Sequence, residues 1–151
     1  MTSLRFEVMS TERAGYAGDI TPQQAWELLS ENPDAVLVDV RTDDEWRFVG
    51  VPDLSSLGRE VVFIEWNTSD GRYNANFADE LRDRVPETDA ERPVVFLCRS
   101  GNRSIGAAEV ATRTGITPAY NVLDGFEGHP NAQGLRGESG WRAIGLPWKQ
   151  L

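Results

Sequence analysis

The chain is poor in the residues that staple, chelate or anchor a protein. It holds one cysteine and one histidine in 151 residues. A single cysteine excludes an intramolecular disulfide. One cysteine and one histidine also fall short of the four nitrogen or sulfur ligands of a structural zinc site, so no metal or cofactor is expected. No apolar run approaches the ~18–20 residues of a membrane span, and the amino end, MTSLRFEVMSTER, lacks the hydrophobic stretch of a signal peptide. Together these absences lead us to expect a reducing, cytoplasmic setting. Basic residues are scarce as well, 15 against 24 acidic ones, for a formal charge of −9. A surface of that sign repels nucleic acid phosphates and anionic membranes, so neither is an expected partner.

What remains is the material of one ordinary domain. With 40% apolar and 26% charged residues, a chain this long can bury roughly two-thirds of its unfolded surface without staples. Thr21, Pro22 and Gln24 read as a helix start, with a capping residue, a proline at the first helical position and the partner of a capping box. Ala25, Leu28 and Leu29 then share one face, and Asn32-Pro33 ends the helix. The runs 35–40, 61–66 and 93–98 are short, nearly continuous and rich in β-branched residues, the pattern of strands buried on both faces. A weaker fourth run is 119–123. Helical periodicity lies between several of them: Phe77, Leu81 and Val85 recur every four residues before Pro86, and Ile105, Ala108 and Ala111 form a stripe ending at Gly115. Strands alternating with helices predict an α/β domain with a mainly parallel sheet. Residues 125–140, with five glycines, read as an irregular connection.

In such sheets ligands bind beyond the carboxyl ends of the strands. The third run ends at Cys98, and Arg99, Ser100, Gly101, Asn102, Arg103 and Ser104 lead into a helix. A short glycine-bearing loop at that junction aims backbone N–H groups inward, and the helix dipole adds positive charge at the same point. From Cys98 to Pro118 there are three arginines and one acid, against the global balance. A lone cysteine ending an apolar strand is commonly a small core residue. Two arginines and a glycine beside it are poor core material, and they turn the reading toward a reactive, anion-facing thiol. A helix amino end and cationic neighbours favour the thiolate, the nucleophilic form.

This loop resembles the active-site loop of the rhodanese (sulfurtransferase) family. The stretch 37–46, Leu-Val-Asp-Val-Arg-Thr-Asp-Asp-Glu-Trp, is similar to the family's first signature. The stretch 121–126, Asn-Val-Leu-Asp-Gly-Phe, followed by Gly140-Trp141 and Gly145-Leu-Pro-Trp148, is similar to its closing one. The opening at Asp19-Ile-Thr-Pro also resembles the family's, so the likeness covers about residues 17–149. It implies a three-layer α/β/α rhodanese-like domain over residues 17–151, with a roughly five-stranded parallel sheet and an N-terminal arm over residues 1–16. Where the family often has a Gly-His-Ile-Pro turn, this chain reads Phe48-Val-Gly-Val-Pro52, a departure that leaves substrate choice open.

The resemblance implies two-step sulfur transfer. Cys98 attacks the outer sulfur of a small anionic donor such as thiosulfate, and the persulfide then passes its sulfur to cyanide or a cellular thiol. Residues 99–104 bind the donor. The same cradle suits a persulfide carrier or regulatory module that takes sulfur from a relay protein, which is the alternative reading. Cysteine phosphatases and arsenate reductases place their loop arginine six positions after the cysteine; here Arg103 stands five positions on and Ser104 takes the sixth, which speaks against phosphatase activity. Asp39, Arg41 and Glu45 are expected to brace a strand end and orient arginines, with Arg41 the candidate to reach the pocket. His129 reads as a solvated loop residue, the five tryptophans as core or pocket wall, and the acidic run 79–91 as a solvated face.

Overall fold

The computed structural model describes residues 15–85 and 92–151. In chain order the elements are β1 (Gly18–Ile20), α1 (Pro22–Glu31), β2 (Val36–Asp39), α2 (Asp43–Val49), β3 (Val51–Pro52), a 3₁₀ turn (Ser55–Leu57), β4 (Val62–Phe63), α3 (Phe77–Arg84), β5 (Val94–Leu97), α4 (Arg103–Arg113), β6 (Ala119–Val122) and β7 (Trp148–Lys149). Five of the strands form one parallel sheet in the order β1-β6-β5-β2-β4. All four residues of β5 are buried, as an unbroken apolar run requires, and the strand takes the centre. Asp39 lies opposite Leu97, so the carboxyl ends of β2 and β5 finish side by side.

The alternation of side chains across the pleat divides the core in two. On one face Val38, Val94 and Phe96 pack with Phe77 and Leu81 of α3 and Ala107, Ala108 and Ala111 of α4. On the other, Leu37, Val95 and Leu97 pack with Ala25, Leu28 and Leu29 of α1 and with Trp141. The three-layer α/β/α architecture follows from those two faces. Small residues on α4 let it lie close: a Cβ at Gly106 would come within 2.6 Å of the Trp66 ring.

Several elements differ from the sequence expectation. The run 61–66 contributes only Val62 and Phe63 to the sheet. Beyond them Trp66 packs edge-on against Phe77 and Tyr73. The fifth strand of the sheet is β1, three residues at its edge that the periodicity passes over. Helix α2 is a further element beyond the sequence expectation; Thr42 and Glu45 form a capping box at its start. The altered turn at 48–54 builds β3, which pairs antiparallel with β7. Of the arm assigned to residues 1–16, positions up to 14 lie outside the described residues, while Tyr16 is buried in the core. Pro86 and the end of the acidic run also lie outside them; within α3, Asp79 and Asp83 are exposed as expected. No helix among the described residues is long and apolar enough to cross a membrane.

The capping box of α1 forms as read: Thr21 Oγ1 accepts the Gln24 N–H at 3.1 Å, and Gln24 Oε1 accepts the Thr21 N–H at 2.9 Å. Replacing Thr21 with Ala should cost about 1 kcal/mol. Urea unfolding should show this as a lower midpoint at constant slope.

Candidate active site

Strand β5 delivers Cys98 to the carboxyl edge of the sheet, and the chain turns at Gly101 (φ 104°) into α4. The sulfur accepts the Gly101 N–H at 3.1 Å and lies 3.1 Å from the Ser104 hydroxyl. Ser104 is itself buried, 2.5 Å from Asn121 Oδ1, and Asn121 Nδ2 donates to Asp19 Oδ1 at 3.0 Å. Cys98 is only 1% exposed and belongs to the apolar cluster between the sheet, α3 and α4, while its sulfur also meets the Gly101 N–H and the Ser104 hydroxyl. It sits at the base of an open cleft of about 450 Å³ lined by Glu45, Asn67, Arg99, Ser100, Asn102, Arg103 and Arg136.

The loop is held from behind by the turn that follows β6. Phe126 N–H donates to Cys98 O at 2.8 Å and Glu127 N–H to Arg99 O at 2.9 Å. This approach needs a glycine at 125, where φ is 54° and a Cβ would stand 2.6 Å from Arg99 O. With the Cys98 and Arg99 carbonyls tied outward, the Gly101 N–H is left directed at the sulfur. Asn102, the N-cap of α4, makes no side-chain cap hydrogen bond.

Carboxylates answer the loop arginines one by one. Arg103 forks onto Glu45, with Nη1 to Oε1 at 2.9 Å and Nη2 to Oε2 at 3.0 Å. Burial alone would push the Glu45 carboxyl up, but the Arg103 hydrogen bond, the Thr42 N–H and the charges of Arg103 and Arg41 hold it below the usual carboxylate range. Burial likewise works against the Arg103 cation, yet Glu45, Cys98 and Asp39 raise it above its ordinary value. Arg99 Nε lies 3.4 Å from Glu127 Oε2 and is half exposed. Arg136, from the glycine-rich connection, donates to Gly128 O and has no carboxylate partner among the described residues.

Glu45 thus orients Arg103, as expected. Arg41 does not reach the cleft. It is fully buried, its Nε and Nη2 bound to Asp39 at 3.0 and 2.7 Å and its Nη2 to Gly50 O at 2.8 Å, with the guanidinium 4.2 Å above the Phe126 ring. Asp39 and Arg41 therefore brace the end of β2 against the turn into β3. The altered turn at 48–54 does not wall this cleft either; Val51 to Leu54 line a separate one of about 430 Å³. His129 is half exposed, 3.1 Å from Asp124. Trp141 is core, and none of the tryptophans lines the Cys98 cleft. Sequence reasoning missed Asn67, Arg136 and Asn121. Only Asn121 carries a signal, a polar residue inside an apolar strand.

A parallel five-stranded sheet whose central strand ends in a cysteine, with a short glycine-bearing loop wrapping that sulfur into a helix start, defines a rhodanese-like α/β domain. The comparisons agree. The family model described as the STR4 middle domain matches residues 17–151. Thiosulfate sulfurtransferase GlpE of Glaesserella parasuis is 36% identical over 110 residues, 73% of this chain and 83% of that protein. An uncharacterized protein of Rickettsia conorii is 36% identical over 87% of this chain and 96% of its own length. The crystal structure of Rv0390 from M. tuberculosis is 75% identical, covers 90% of this chain and 99% of its own, and superposes with a TM-score of 0.84. The chain belongs to the rhodanese-like family of single-domain sulfurtransferases.

The Glu45–Arg103 pair sets a pH dependence. Because the folded protein holds the Glu45 carboxyl below its usual range, the pair stabilises the fold above the unfolded value of ~4.3, and this contribution is lost as pH falls through the folded value. Glu45→Gln should therefore be less stable than the parent at pH 7, with the gap narrowing below about pH 4. Urea unfolding across that range checks it.

Proposed function

We propose that the chain carries a sulfane sulfur on Cys98, taking it from thiosulfate or a similar small anion and passing it to a thiophilic acceptor. The observation that carries this reading is the position of the sulfur: at the base of an open cleft, beside a helix start, with the Gly101 N–H directed at it. The thiolate attacks the outer sulfur of thiosulfate. As the new S–S bond forms, the old one breaks and sulfite leaves with the electron pair. The anionic outer sulfur of the persulfide then sits before the loop amides and the positive end of α4, which are already oriented when the charge arrives. Cyanide or a cellular thiolate attacks that outer sulfur and releases the Cys98 thiolate, so the two half-reactions alternate. No metal or cofactor enters either step. A reducing compartment, the cytoplasm, keeps the lone thiol available.

Ser100, Asn102 and Asn67 supply neutral polar wall, and the loop arginines are already engaged by carboxylates. Arg136 is the cleft cation whose charge is uncompensated among the described residues, and we assign it the donor's anionic end. The buried sulfur favours a donor small enough to enter.

Thiosulfate with cyanide should yield thiocyanate, and Cys98→Ser should abolish it while leaving the unfolding curve in place. Intact-protein mass should rise by one sulfur, about 32 Da, after donor treatment. Failure of every small sulfane donor to give that adduct overturns the reading. Loading solely by a desulfurase-type protein would replace it with the sulfur-carrier alternative. Arg136→Ala should raise the KM for thiosulfate roughly tenfold, the size of one lost charge-assisted hydrogen bond, with kcat little changed.

A further inference from the structure

A polar chain, half-buried at Asp19 and fully buried at Asn121 and Ser104, runs from the edge of the sheet to the Cys98 sulfur. Tyr16 OH donates to Asp19 Oδ1 at 2.7 Å, and Asn121 Nδ2 donates to the same oxygen at 3.0 Å. Burial first, then the hydrogen bond and charge of Asp19, push the Tyr16 phenol up, so it remains a donor. A carboxylate only accepts. The amide of Asn121 is thereby fixed, with its NH₂ toward Asp19 and its carbonyl toward Ser104. That carbonyl also only accepts, and it stands 2.5 Å from Ser104 Oγ. Ser104 has a single hydroxyl proton, and this geometry commits it to Asn121. Toward Cys98, 3.1 Å away, Ser104 is left with lone pairs and can only accept.

We infer that Asn121, oriented by Asp19, is a positioning residue for the sulfur chemistry: it turns the Ser104 proton away from Cys98, so that Ser104 accepts the S–H of the resting thiol. The inference rests on the proposed role of Cys98 as sulfur carrier and names what tunes that carrier. A bare thiolate would face the Ser104 lone pair and is disfavoured by it, whereas the inner sulfur of a persulfide has no charge to place there. The chain thus favours the thiol and the loaded form over the bare thiolate, in opposition to the Gly101 N–H and the helix start. The charged groups that line the cleft with the sulfur are Glu45 of α2, Arg99 of the loop, Arg103 at the start of α4 and Arg136 of the long connection. Asp39 and Arg41 lie at the end of the adjacent β2, paired with each other. Replacing the uncharged Asn121 leaves all of them in place.

The single cysteine makes the test direct, because the protein has one S–H stretching band in its Raman spectrum. In the unmodified protein that band should be present and shifted toward lower frequency by donation to oxygen. Asn121→Leu frees Ser104 to donate to sulfur, so the band should lose that shift or weaken. Alkylation by iodoacetamide at pH 7, which consumes the thiolate, should accelerate about tenfold. Asp19→Asn lets the Asn121 amide reverse and should act in the same direction; it carries the test if the leucine variant fails to fold. In a Ser104→Ala background neither substitution should change the band or the rate. Absence of the band in the unmodified protein, no change in either readout, or effects that persist undiminished without Ser104 would each overturn the inference. None of these readouts requires sulfur transfer, so their failure is distinct from failure to form the sulfur adduct.

Discussion

Two backbone hydrogen bonds, from the Phe126 and Glu127 amides to the Cys98 and Arg99 carbonyls, set the geometry on which the site depends. A loop of five residues between a strand and a helix has no regular ladder of its own to hold it. By binding its carbonyls from the rear, the turn after β6 decides which edge of the loop faces the cleft. Gly125 is the condition for that contact, since the two backbones approach too closely for any side chain. The sheet order explains why the support is available: β6 lies directly beside β5, so the segment leaving β6 passes under the segment leaving β5. Asn121, opposite Phe96 in that pairing, reaches the same site from within the strand.

Charge in this protein is arranged by pairing. Arg103 answers Glu45, Arg41 answers Asp39 and Arg99 stands near Glu127. These forks fix geometry and cancel much of the field that the same arginines would otherwise exert. On a chain with a net charge of −9, attraction of an anion into the cleft is then left to short-range features: the Gly101 amide, the end of a helix and, among the described residues lining it, the Arg136 guanidinium that no carboxylate pairs. Such attraction acts within the cleft and falls off within the first turn of the helix.

The sequence makes the Cys98 loop legible as a strand-to-helix junction because its signal is local. Cysteine, glycine and two arginines at a strand-to-helix junction have few structural uses. The sheet's centre is legible for a similar reason, since a fully buried strand such as Val94–Leu97 is apolar at every position. β1 escapes notice because three residues at a sheet edge generate no period, and the run 61–66 overstates β4 because regular pairing ends at Phe63, beyond which Ile64 joins the core and Trp66 packs against Phe77 and Tyr73. The partners of the loop arginines are hidden by distance: Glu45 precedes Arg103 by 58 residues, and nothing in either neighbourhood announces the other. Arg136 is obscured for the same reason, placed at the cleft by a long connection without regular structure. Arg41 is the instructive case. Its neighbourhood resembles a functional signature, yet its charge is consumed in fastening one strand end to the next turn.

The solitude of Cys98 has a further meaning for what happens to any cargo it takes on. Many thiol enzymes discharge a bound group through a second, resolving cysteine of the same chain, which closes an internal disulfide. No such exit exists here. On the proposed role, a sulfur atom carried by Cys98 can leave only to a separate molecule, so taking on cargo and giving it up must alternate.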